Sequence, residues 1–373
     1  MRYAMIMAGG AGTRLWPMSR ADRPKQLLKF IEQPGDPQPR SLLEIAAMRL
    51  EGLIAPEQRY ICTAEAYRGA IRAALPEFTD ERILGEPMGR DTVNAVGLAA
   101  AVFQKIDPEA VFAVLTADHI ITPREKFQSL MDAGFRLVEE DPSRLVTFSI
   151  KPTYPATGFG YVERGAPLGG GVDGQAYRVA RFVEKPDLPR ATAYVQSGVF
   201  GWNSGMFVWK AGTFLSALKQ FKPESFDGLM KIQEAWGTDR QRQVLGEVYP
   251  TLPKTSVDYA VMEPASKSRE RQFSVCTVLM DLEWLDVGSW PSFGQTVPAD
   301  GQKNRVAAGG GGKATIVNST GNLVVNPVKG HTVALLGCKD LIVVHTEDAT
   351  LVMPRERAEE LKELHGKVAE GLR

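Results

Sequence analysis

Apolar runs alternate with amphipathic stretches along the first 150 residues of the chain. Short apolar runs predict buried strands, whereas apolar residues spaced three or four apart predict helices. The resulting order of strand, helix, strand, helix is typical of a mostly parallel sheet with helices on both faces. The predicted strands are Tyr3–Met7, Arg59–Thr63, Arg82–Gly85, Val111–Thr116 and Leu145–Ile150, and the predicted helices are Ser41–Ile54, Glu65–Leu75, Thr92–Lys105 and Glu125–Glu140.

The stretch that begins at Ser41 has the clearest helix start. Ser41 is a typical N-cap residue, and Glu44 follows three positions later, which is the spacing of a capping box. Apolar residues from Leu42 to Ile54 then fall on one side of the predicted helix. We expect this helix to serve packing alone.

The pattern becomes mixed after Phe159. Strand-like segments at Tyr177–Glu184 and Gly201–Trp209 are separated by helical stretches. We interpret the region up to Trp290 as an insertion that forms one side of a site. Together with the alternating region it makes residues 1–302 the first predicted domain.

The chain after Gln302 has a different character. Four consecutive glycines at positions 309–312 predict a flexible break, and residues 314–353 are rich in Val, Ile, Leu and Thr with frequent turn residues. Short strands with frequent turns predict a small all-β unit, either a β-solenoid coil or a small sandwich. The charged, amphipathic stretch Arg355–Leu372 predicts a docking helix. Residues 303–373 therefore form the second predicted domain.

The overall charge excludes several classes of partner. Lys plus Arg and Asp plus Glu both number 44, so the formal charge is zero, and we expect neither nucleic acid nor an anionic membrane surface as a partner. The longest nearly apolar stretch, Val93–Phe103, is well below the ~20 residues that cross a bilayer. Three widely spaced cysteines without a CxxC pair argue for a reducing compartment. These features predict a cytoplasmic protein.

A glycine-rich turn follows the first predicted strand directly. The residues from Met7 are Met-Ala-Gly-Gly-Ala-Gly-Thr-Arg-Leu-Trp-Pro, and Arg14 adds a fork of donors. Glycines let backbone N–H groups converge on phosphate oxygens, so Gly9 to Thr13 form a candidate phosphate cradle. A tight strand-to-helix turn explains the same glycines. The run matches neither a dinucleotide fingerprint nor a Walker A loop.

Two aspartates stand where they could bind a metal ion. Asp118 directly follows the strand Val111–Thr116, at the sheet edge where open α/β folds place ligands, and a carboxylate there suits Mg²⁺ against phosphate oxygens. Capping of the next turn is the alternative for Asp118. Asp286 lies between Trp284 and Trp290, a pattern that also suits core packing around a helix start. We interpret His119 as structural.

Glu184 and Lys185 end another predicted strand. A carboxylate accepts hydrogen bonds from sugar hydroxyls, and an ammonium group binds a sugar phosphate. A solvated surface ion pair explains the same two residues.

The run from the glycine turn to Gln26 resembles the signature of the sugar-1-phosphate nucleotidyltransferases. Its Trp16, Ser19, Arg20, Lys25 and Gln26 resemble the mannose-1-phosphate guanylyltransferase branch. The resemblance implies a Rossmann-like, mostly parallel mixed sheet flanked by helices, with a small left-handed β-helix-like unit at the C-terminal end. It covers essentially the whole chain, through Glu86–Thr92, Ala117–His119, Thr157–Tyr161, Phe182–Pro186, Trp202–Phe207, Ser256–Met262 and Trp284–Trp290.

The resemblance implies a Mg²⁺-dependent, in-line transfer of GMP from GTP to mannose 1-phosphate, with GDP-mannose and pyrophosphate as products. It is compatible with a homodimer. The implied catalytic residues are Arg14, Lys25 and Lys185, and the implied metal ligands are Asp118 and Asp286. The implied nucleotide-binding residues are Ala8, Gly9, Gly10, Gly12, Thr13, Glu86, Arg90, Asp91 and Thr92, and the implied sugar-binding residues are Gly160, Tyr161, Glu184, Asn203 and Asp258.

One departure from the family pattern leaves alternatives open. The family usually has Arg-Asn-Thr-Ala-Pro on the base-side loop, whereas this chain has Arg90-Asp91-Thr92-Val93-Asn94. Asp91 can accept hydrogen bonds from guanine but cannot donate as an amide does, so nucleotide preference could differ. The alternatives are a related enzyme for another nucleotide or hexose phosphate, and a catalytically silent sugar-nucleotide sensor.

Overall fold

The computed structural model of the chain describes residues 1–10, 12–32, 35–36, 38–169, 174–268 and 272–373. These residues form two compact units, and each is built from separate stretches of chain. The predicted division at residues 302 and 303 stays a prediction. The first unit comprises Met1–Gly9, Ala47–Thr116 and Ile121–Trp284, and the second comprises Gly10–Ala46, Ala117–Ile120 and Leu285–Arg373.

The strands and helices are numbered in chain order. The strands are β1 (Arg2–Met7), β2 (Lys29–Ile31), β3 (Arg40–Ser41), β4 (Arg59–Ala64), β5 (Ile83–Glu86), β6 (Val111–Thr116), β7 (His119–Thr122), β8 (Arg144–Ile150), β9 (Tyr161–Pro167), β10 (Ala176–Val183), β11 (Phe200–Lys210), β12 (Ser274–Met280), β13 (Glu283–Asp286), β14 (Arg305–Ala307), β15 (Lys313–Val317), β16 (Leu323–Val325), β17 (Thr332–Leu336), β18 (Leu341–His345) and β19 (Thr350–Pro354). The α-helices are α1 (Leu42–Met48), α2 (Arg68–Ala74), α3 (Asp91–Ile106), α4 (Arg124–Glu140), α5 (Leu188–Ser197), α6 (Ala211–Phe221), α7 (Pro223–Ala235), α8 (Gln241–Val248), α9 (Glu263–Lys267), α10 (Trp290–Gly294) and α11 (Leu361–Lys367).

A nine-stranded mixed sheet organises the first unit, in the order β5-β4-β1-β6-β11-β8-β12-β10-β9. The strands β5, β4, β1 and β6 are parallel, whereas β11 runs antiparallel to both β6 and β8. The mostly parallel mixed sheet is therefore confirmed. The predicted insertion after Phe159 is wrong, because β9 to β12 extend this same sheet and β9 also pairs with β11.

Helices cover both faces of this sheet. Phe207 and Trp209 of β11 belong to the apolar core that α3, α6 and α7 close. Val208 points to the opposite face of the sheet and lies near α4. A Cβ at Gly134 of α4 would stand 2.6 Å from the Phe148 ring, so glycine permits this close approach of helix and sheet.

The C-terminal part of the second unit is β-helix-like. Strands β14, β16 and β18 pair in parallel, and so do β15 and β17. Buried asparagines support successive turns, with Asn322 Nδ2 donating to Asn304 Oδ1 at 3.0 Å. Parallel pairing of successive short strands is the solenoid pattern, not that of a sandwich. The predicted flexible break at the glycines is wrong, because a Cβ at Gly312 would lie 2.0 Å from the Asn326 carbonyl oxygen.

Two helix predictions need correction. The capping box is confirmed, with Ser41 N donating to Glu44 Oε2 at 2.6 Å, but α1 ends at Met48 and the chain continues to Ile54 in tight turns. The tail is not one helix but a 3₁₀ segment, Arg355–Glu360, followed by α11 and a second 3₁₀ turn, Glu370–Leu372. The pairing of Arg357 with Glu360 suits the 3₁₀ spacing, in which residues three apart eclipse.

The tail does dock, as the sequence predicts. Trp16 Nε1 donates to the Leu372 carbonyl oxygen at 2.7 Å within the second unit. Among the described residues no helix combines the length and the apolar character needed to cross a bilayer.

Candidate functional site

The second unit brings Lys25 and the two predicted metal ligands together. Asp118 follows β6, Asp286 ends β13, and Val287 N donates to the Asp118 carbonyl oxygen at 2.9 Å, which ties the two segments. Lys25 Nζ lies 2.7 Å from Asp118 Oδ2. One ligand atom each from Asp118, His119 and Asp286 lies within 4.8 Å of the others. Residues far apart in the sequence therefore form one compact charged cluster.

The pKa values of Asp118 and Asp286 depend on burial and on the charged groups beside them. Burial alone would raise the pKa of Asp118, but the Lys25 ammonium group and His119 outweigh it and hold that pKa well below its usual value. Burial and the negative charge of Asp118 both raise the pKa of Asp286. A second carboxylate next to the first favours a bound cation, and two carboxylates form a donor set of the kind that Mg²⁺ prefers.

Arg14 belongs to the same neighbourhood. A Cβ at Gly288 would lie 3.1 Å from Arg14 Nη2 and 3.2 Å from Asp286 Oδ1, so both groups border the space that this glycine leaves. Arg14 Nη1 donates to Glu359 Oε1 at 3.3 Å and to Oε2 at 3.4 Å. The tail thus supplies an anionic partner to a residue that the resemblance makes catalytic.

The glycine turn folds against the lysine. Gly10 and Gly12 have φ values of 93° and 64°, in the left-handed region that favours glycine. A Cβ at Gly12 would lie 2.6 Å from Lys25 Cβ, and Ser19 Oγ donates to the Gly12 carbonyl oxygen at 2.7 Å. Thr13 begins a 3₁₀ turn, Thr13–Leu15. Position 11, inside the predicted cradle, lies outside the described residues.

Two residues of the N-terminal signature have other partners. The Ala8 N–H donates to the Cys62 carbonyl oxygen at 2.8 Å, so in this structure it is committed to the sheet edge rather than to a phosphate cradle. Arg20 donates to the Leu372 carbonyl oxygen and to Asp348 Oδ1, both at 2.6 Å. Of the nearby basic residues Arg20 and Lys25, Lys25 is the one that reaches the aspartates.

The predicted base-side residues lie in the first unit, around the end of β5. Glu86 is 8% exposed, and Tyr249 donates its hydroxyl to Glu86 Oε1 at 2.6 Å. Burial raises the pKa of Glu86 despite this hydrogen bond. Its second oxygen would lie 3.9 Å from a Cβ at Gly9. Arg90 precedes α3, which begins at Asp91.

Asp91 and Thr92 form the first turn of α3. Asp91 is exposed with a φ of 61°, and its Oδ1 accepts from Thr92 N at 2.8 Å. Thr92 Oγ1 accepts from Val257 N at 2.9 Å. The Thr92 hydroxyl therefore already serves a structural contact, while Asp91 presents its carboxylate at the surface.

The predicted sugar-side residues form a second group in the first unit. A Cβ at Gly160 would lie 2.4 Å from Glu184 Oε2, so the carboxylate occupies the space that glycine leaves. Glu184 Oε1 pairs with Lys185 Nζ at 3.0 Å, and the lysine side chain is 55% exposed. Asn203 Nδ2 donates to Asp258 Oδ1 at 2.8 Å.

Asp258 and Tyr161 support this group. Burial, then the charge of Glu184, raises the pKa of Asp258 to about 7. Tyr161 is fully buried, and its hydroxyl donates to the Ala156 carbonyl oxygen at 2.9 Å. This hydroxyl is committed to the protein, so the contribution of Tyr161 here is to fix the backbone beside Gly160.

Sequence reasoning missed four supporting side chains: Asn94, Thr147, Tyr249 and Glu359. Thr147 Oγ1 donates to Asn203 Oδ1 at 2.8 Å. Thr147, Tyr249 and Glu359 meet their partners only through tertiary folding, and isolated residues of these types carry no distinguishing pattern. Asn94 alone carried a signal, since an amide within a nearly apolar helix requires buried partners.

Comparisons with known proteins find two family models that match this chain. Residues 3–303 match the family described as nucleotidyl transferase, and residues 312–368 match a family described as a MannoseP isomerase/GMP-like beta-helix domain. The chain is 37% identical over 369 residues to a mannose-1-phosphate guanylyltransferase of Escherichia coli, a match that covers 97% of this chain and 73% of the relative.

A second relative and a solved structure extend the likeness. The xanthan biosynthesis protein XanB of Xanthomonas campestris is 33% identical, over 96% of this chain and 72% of its own length. The crystal structure of a protein from Thermus thermophilus, described as a mannose-1-phosphate geranyltransferase, superposes with a TM-score of 0.83 at 32% identity. That likeness covers 98% of both chains.

Proposed function

Because the chain belongs to the nucleotidyltransferase family, among the mannose-1-phosphate guanylyltransferases, we propose that it transfers GMP from GTP to mannose 1-phosphate. A phosphate oxygen of mannose 1-phosphate attacks the α-phosphorus of GTP. The bond from that phosphorus to the pyrophosphate leaving group breaks, and GDP-mannose and pyrophosphate are the products.

The observation that carries the proposal is the juxtaposition of Lys25 with Asp118 and Asp286. The attacking phosphate is already anionic, so the reaction needs no general base. Catalysis then depends on positioning the substrates and on neutralising charge at the α-phosphate and the leaving pyrophosphate. The lysine supplies one fixed positive charge, and the two carboxylates can bind a cation that supplies a second.

We assign the phosphate chemistry to the second unit and to the adjoining Gly9. Lys25 and Arg14 stabilise negative charge on the transferred phosphoryl group and on the pyrophosphate. Asp118 and Asp286 would hold Mg²⁺, which when bound supplies positive charge to phosphate oxygens. The backbone of the glycine turn, from Gly9 through Gly10 and Gly12 to Thr13, cradles the triphosphate.

We assign substrate recognition to the first unit. Lys185 binds the phosphate of mannose 1-phosphate. Glu184 accepts hydrogen bonds from the hexose hydroxyls, and the Asn203 amide donates to them. Gly160 leaves room for the ring, while Asp258 orients Asn203 and Tyr161 holds the backbone. Glu86, Arg90, Asp91 and Thr92 surround the base.

Pyrophosphate release, measured with and without Mg²⁺, tests this function. The assay pairs GTP, ATP, UTP and dTTP with mannose 1-phosphate and glucose 1-phosphate. We expect the highest kcat/KM for GTP with mannose 1-phosphate, and a sharply higher Mg²⁺ requirement for Asp286→Asn with a folded protein. Faster turnover of another pair would contradict the assigned substrates. Full Asp286→Asn activity at unchanged Mg²⁺ would remove its metal role.

A sensor is the second candidate, because Asp91 replaces the amide of the family pattern. Isothermal titration with GDP-mannose distinguishes it from the enzyme. Tight binding without any pyrophosphate exchange would favour the sensor, whereas turnover of the substrates excludes a silent protein.

A further inference from the structure

Three hydrogen bonds join the first turn of α3 to residues 253–257, which we call the strap. Asn94 Nδ2 donates to the Pro253 carbonyl oxygen at 2.7 Å. Val93 N donates to the Thr255 carbonyl oxygen at 3.3 Å. Val257 N donates to Thr92 Oγ1 at 2.9 Å. The base-side residues and the strap are therefore held as one piece within the first unit.

Asn94 supplies the side-chain donor among these three hydrogen bonds, and it is fully buried. Its exposed fraction is 0%, and Nδ2 also donates to the Arg90 carbonyl oxygen at 3.1 Å. One amide nitrogen thus donates to the carbonyl oxygen of the residue that precedes α3 and to that of the first residue of the strap. A residue without a side-chain donor could make neither bond, so the clamp depends on the Asn94 amide.

The strap leads directly to the sugar-side residues. Val257 is followed by a single π-helical turn, Asp258–Met262. Asp258 Oδ1 accepts from Asn203 Nδ2, and Asn203 Oδ1 accepts from Thr147 Oγ1, both at 2.8 Å. Asn203 N also donates to the Gly160 carbonyl oxygen at 2.8 Å. A shift of the strap therefore moves the carboxylate that orients the Asn203 amide.

We propose that Asn94 is a positioning residue that couples the base-side loop to the sugar pocket, through the strap and Asp258. Asn94 contacts neither substrate. It sets where Asp258 stands, and Asp258 sets the orientation of the Asn203 amide toward the hexose. The sugar phosphate as the affected substrate rests on the proposed function, whereas the clamp itself rests on the hydrogen bonds alone.

Asn94→Ala tests the coupling, because it removes both donations while keeping a good helix former. The matched control is Ser225→Ala, which also removes a buried polar group from a helix and whose hydroxyl has no hydrogen-bond partner among the described residues. The first measurement is backbone hydrogen exchange, which needs no turnover. We expect faster exchange at Val257 and through Asp258–Met262 in Asn94→Ala only.

The second measurement is steady-state kinetics with each substrate varied in turn. We expect KM for mannose 1-phosphate to rise about fivefold, as for the loss of one ordinary hydrogen bond, with smaller changes in kcat and in KM for GTP. Asn94→Ser, which retains one donor, should give an intermediate rise, and it replaces Asn94→Ala should that variant fail to fold.

Two results would overturn the coupling. One is unchanged exchange across the strap in a folded Asn94→Ala. The other is a KM effect confined to GTP, which would place Asn94 in base recognition alone. Absence of guanylyltransferase turnover in the wild-type protein would contradict the proposed function instead. Backbone hydrogen exchange would still decide whether the clamp exists.

Discussion

Lys25 Nζ donates to Asp118 Oδ2 at 2.7 Å although the two residues are 93 positions apart in the chain. The lysine side chain is 11% exposed, and its aliphatic part packs against Gly12. A charge withdrawn from water in this way interacts more strongly with a neighbouring anion than a solvated one does. The pair therefore holds an ammonium group in place before any phosphate arrives.

Lys25→Ala should lower kcat about 100-fold or more, because the charge that it stabilises grows along the reaction. KM for GTP should change less. The matched control is Lys29→Ala, which breaks the ion pair of Lys29 with Glu44 at 3.0 Å in the same unit and should leave kcat unchanged. Steady-state pyrophosphate release measures both. Unaltered turnover in a folded Lys25→Ala would refute the assignment of this lysine.

Glu359 should act through Arg14. Its side chain is 71% exposed, so the ion pair adds little to stability, but it occupies Nη1, while Nη2 lies beside Gly288, which Asp286 also borders. We expect Glu359→Gln to lower kcat about threefold, and to have no further effect once Arg14 is alanine, because coupled residues are not additive. Glu363→Gln, which breaks the tail ion pair with Lys367, is the control. Additive losses in the double variant would show that Glu359 acts independently of Arg14.

Gly160 and Gly158 form a matched pair for the sugar pocket. A Cβ at Gly160 would lie 2.4 Å from Glu184 Oε2, whereas one at Gly158 would meet nothing within 4 Å. Gly160→Ala must therefore displace the Glu184 carboxylate. We expect KM for mannose 1-phosphate to rise about tenfold or more, as for loss of a charged hydrogen-bond partner, with Gly158→Ala close to wild type. Equal KM values for the two variants would remove Glu184 from sugar recognition.

The sequence patterns predicted the strand ends well, and for a physical reason. Apolar runs such as Val111–Thr116 end abruptly at polar or glycine residues, so the positions of Asp118 and of the glycine turn at strand ends follow from periodicity. The proximity of Asp286 to Asp118 came only through family resemblance, because no local pattern encodes a contact across so long a stretch of chain.

The remaining features depend on tertiary packing that short-range patterns do not report. Arg20 and Lys25 are both basic residues of one short segment, yet Arg20 donates a hydrogen bond to the tail and Lys25 donates one to Asp118. The segments β9 to β12 suggested an insertion because strand and helix patterns are mixed there, but they pair within the main sheet, where β11 lies between β6 and β8. Tyr249 meets Glu86 only through folding of the whole first unit.

Asp258 should make the stability of the protein depend on pH. Burial and the nearby Glu184 raise the folded-state pKa of Asp258 to about 7, above its ordinary value of 3.8. Between these two values the folded state binds the proton more strongly than the unfolded state, so the contribution of this group to stability falls as pH rises and is lost above about 7.

Asp258→Asn keeps an acceptor for Asn203 Nδ2 and removes the titration. The free energy of unfolding of the variant, relative to wild type, should therefore increase between pH 5 and pH 8, by an amount on the order of 2 kcal/mol. Urea titrations at both pH values measure it, and Asp300→Asn, at an exposed turn, is the control. A difference between variant and wild type that stays constant over this range would place the folded-state pKa of Asp258 near its ordinary value. Its carboxylate would then be solvated rather than held against Glu184.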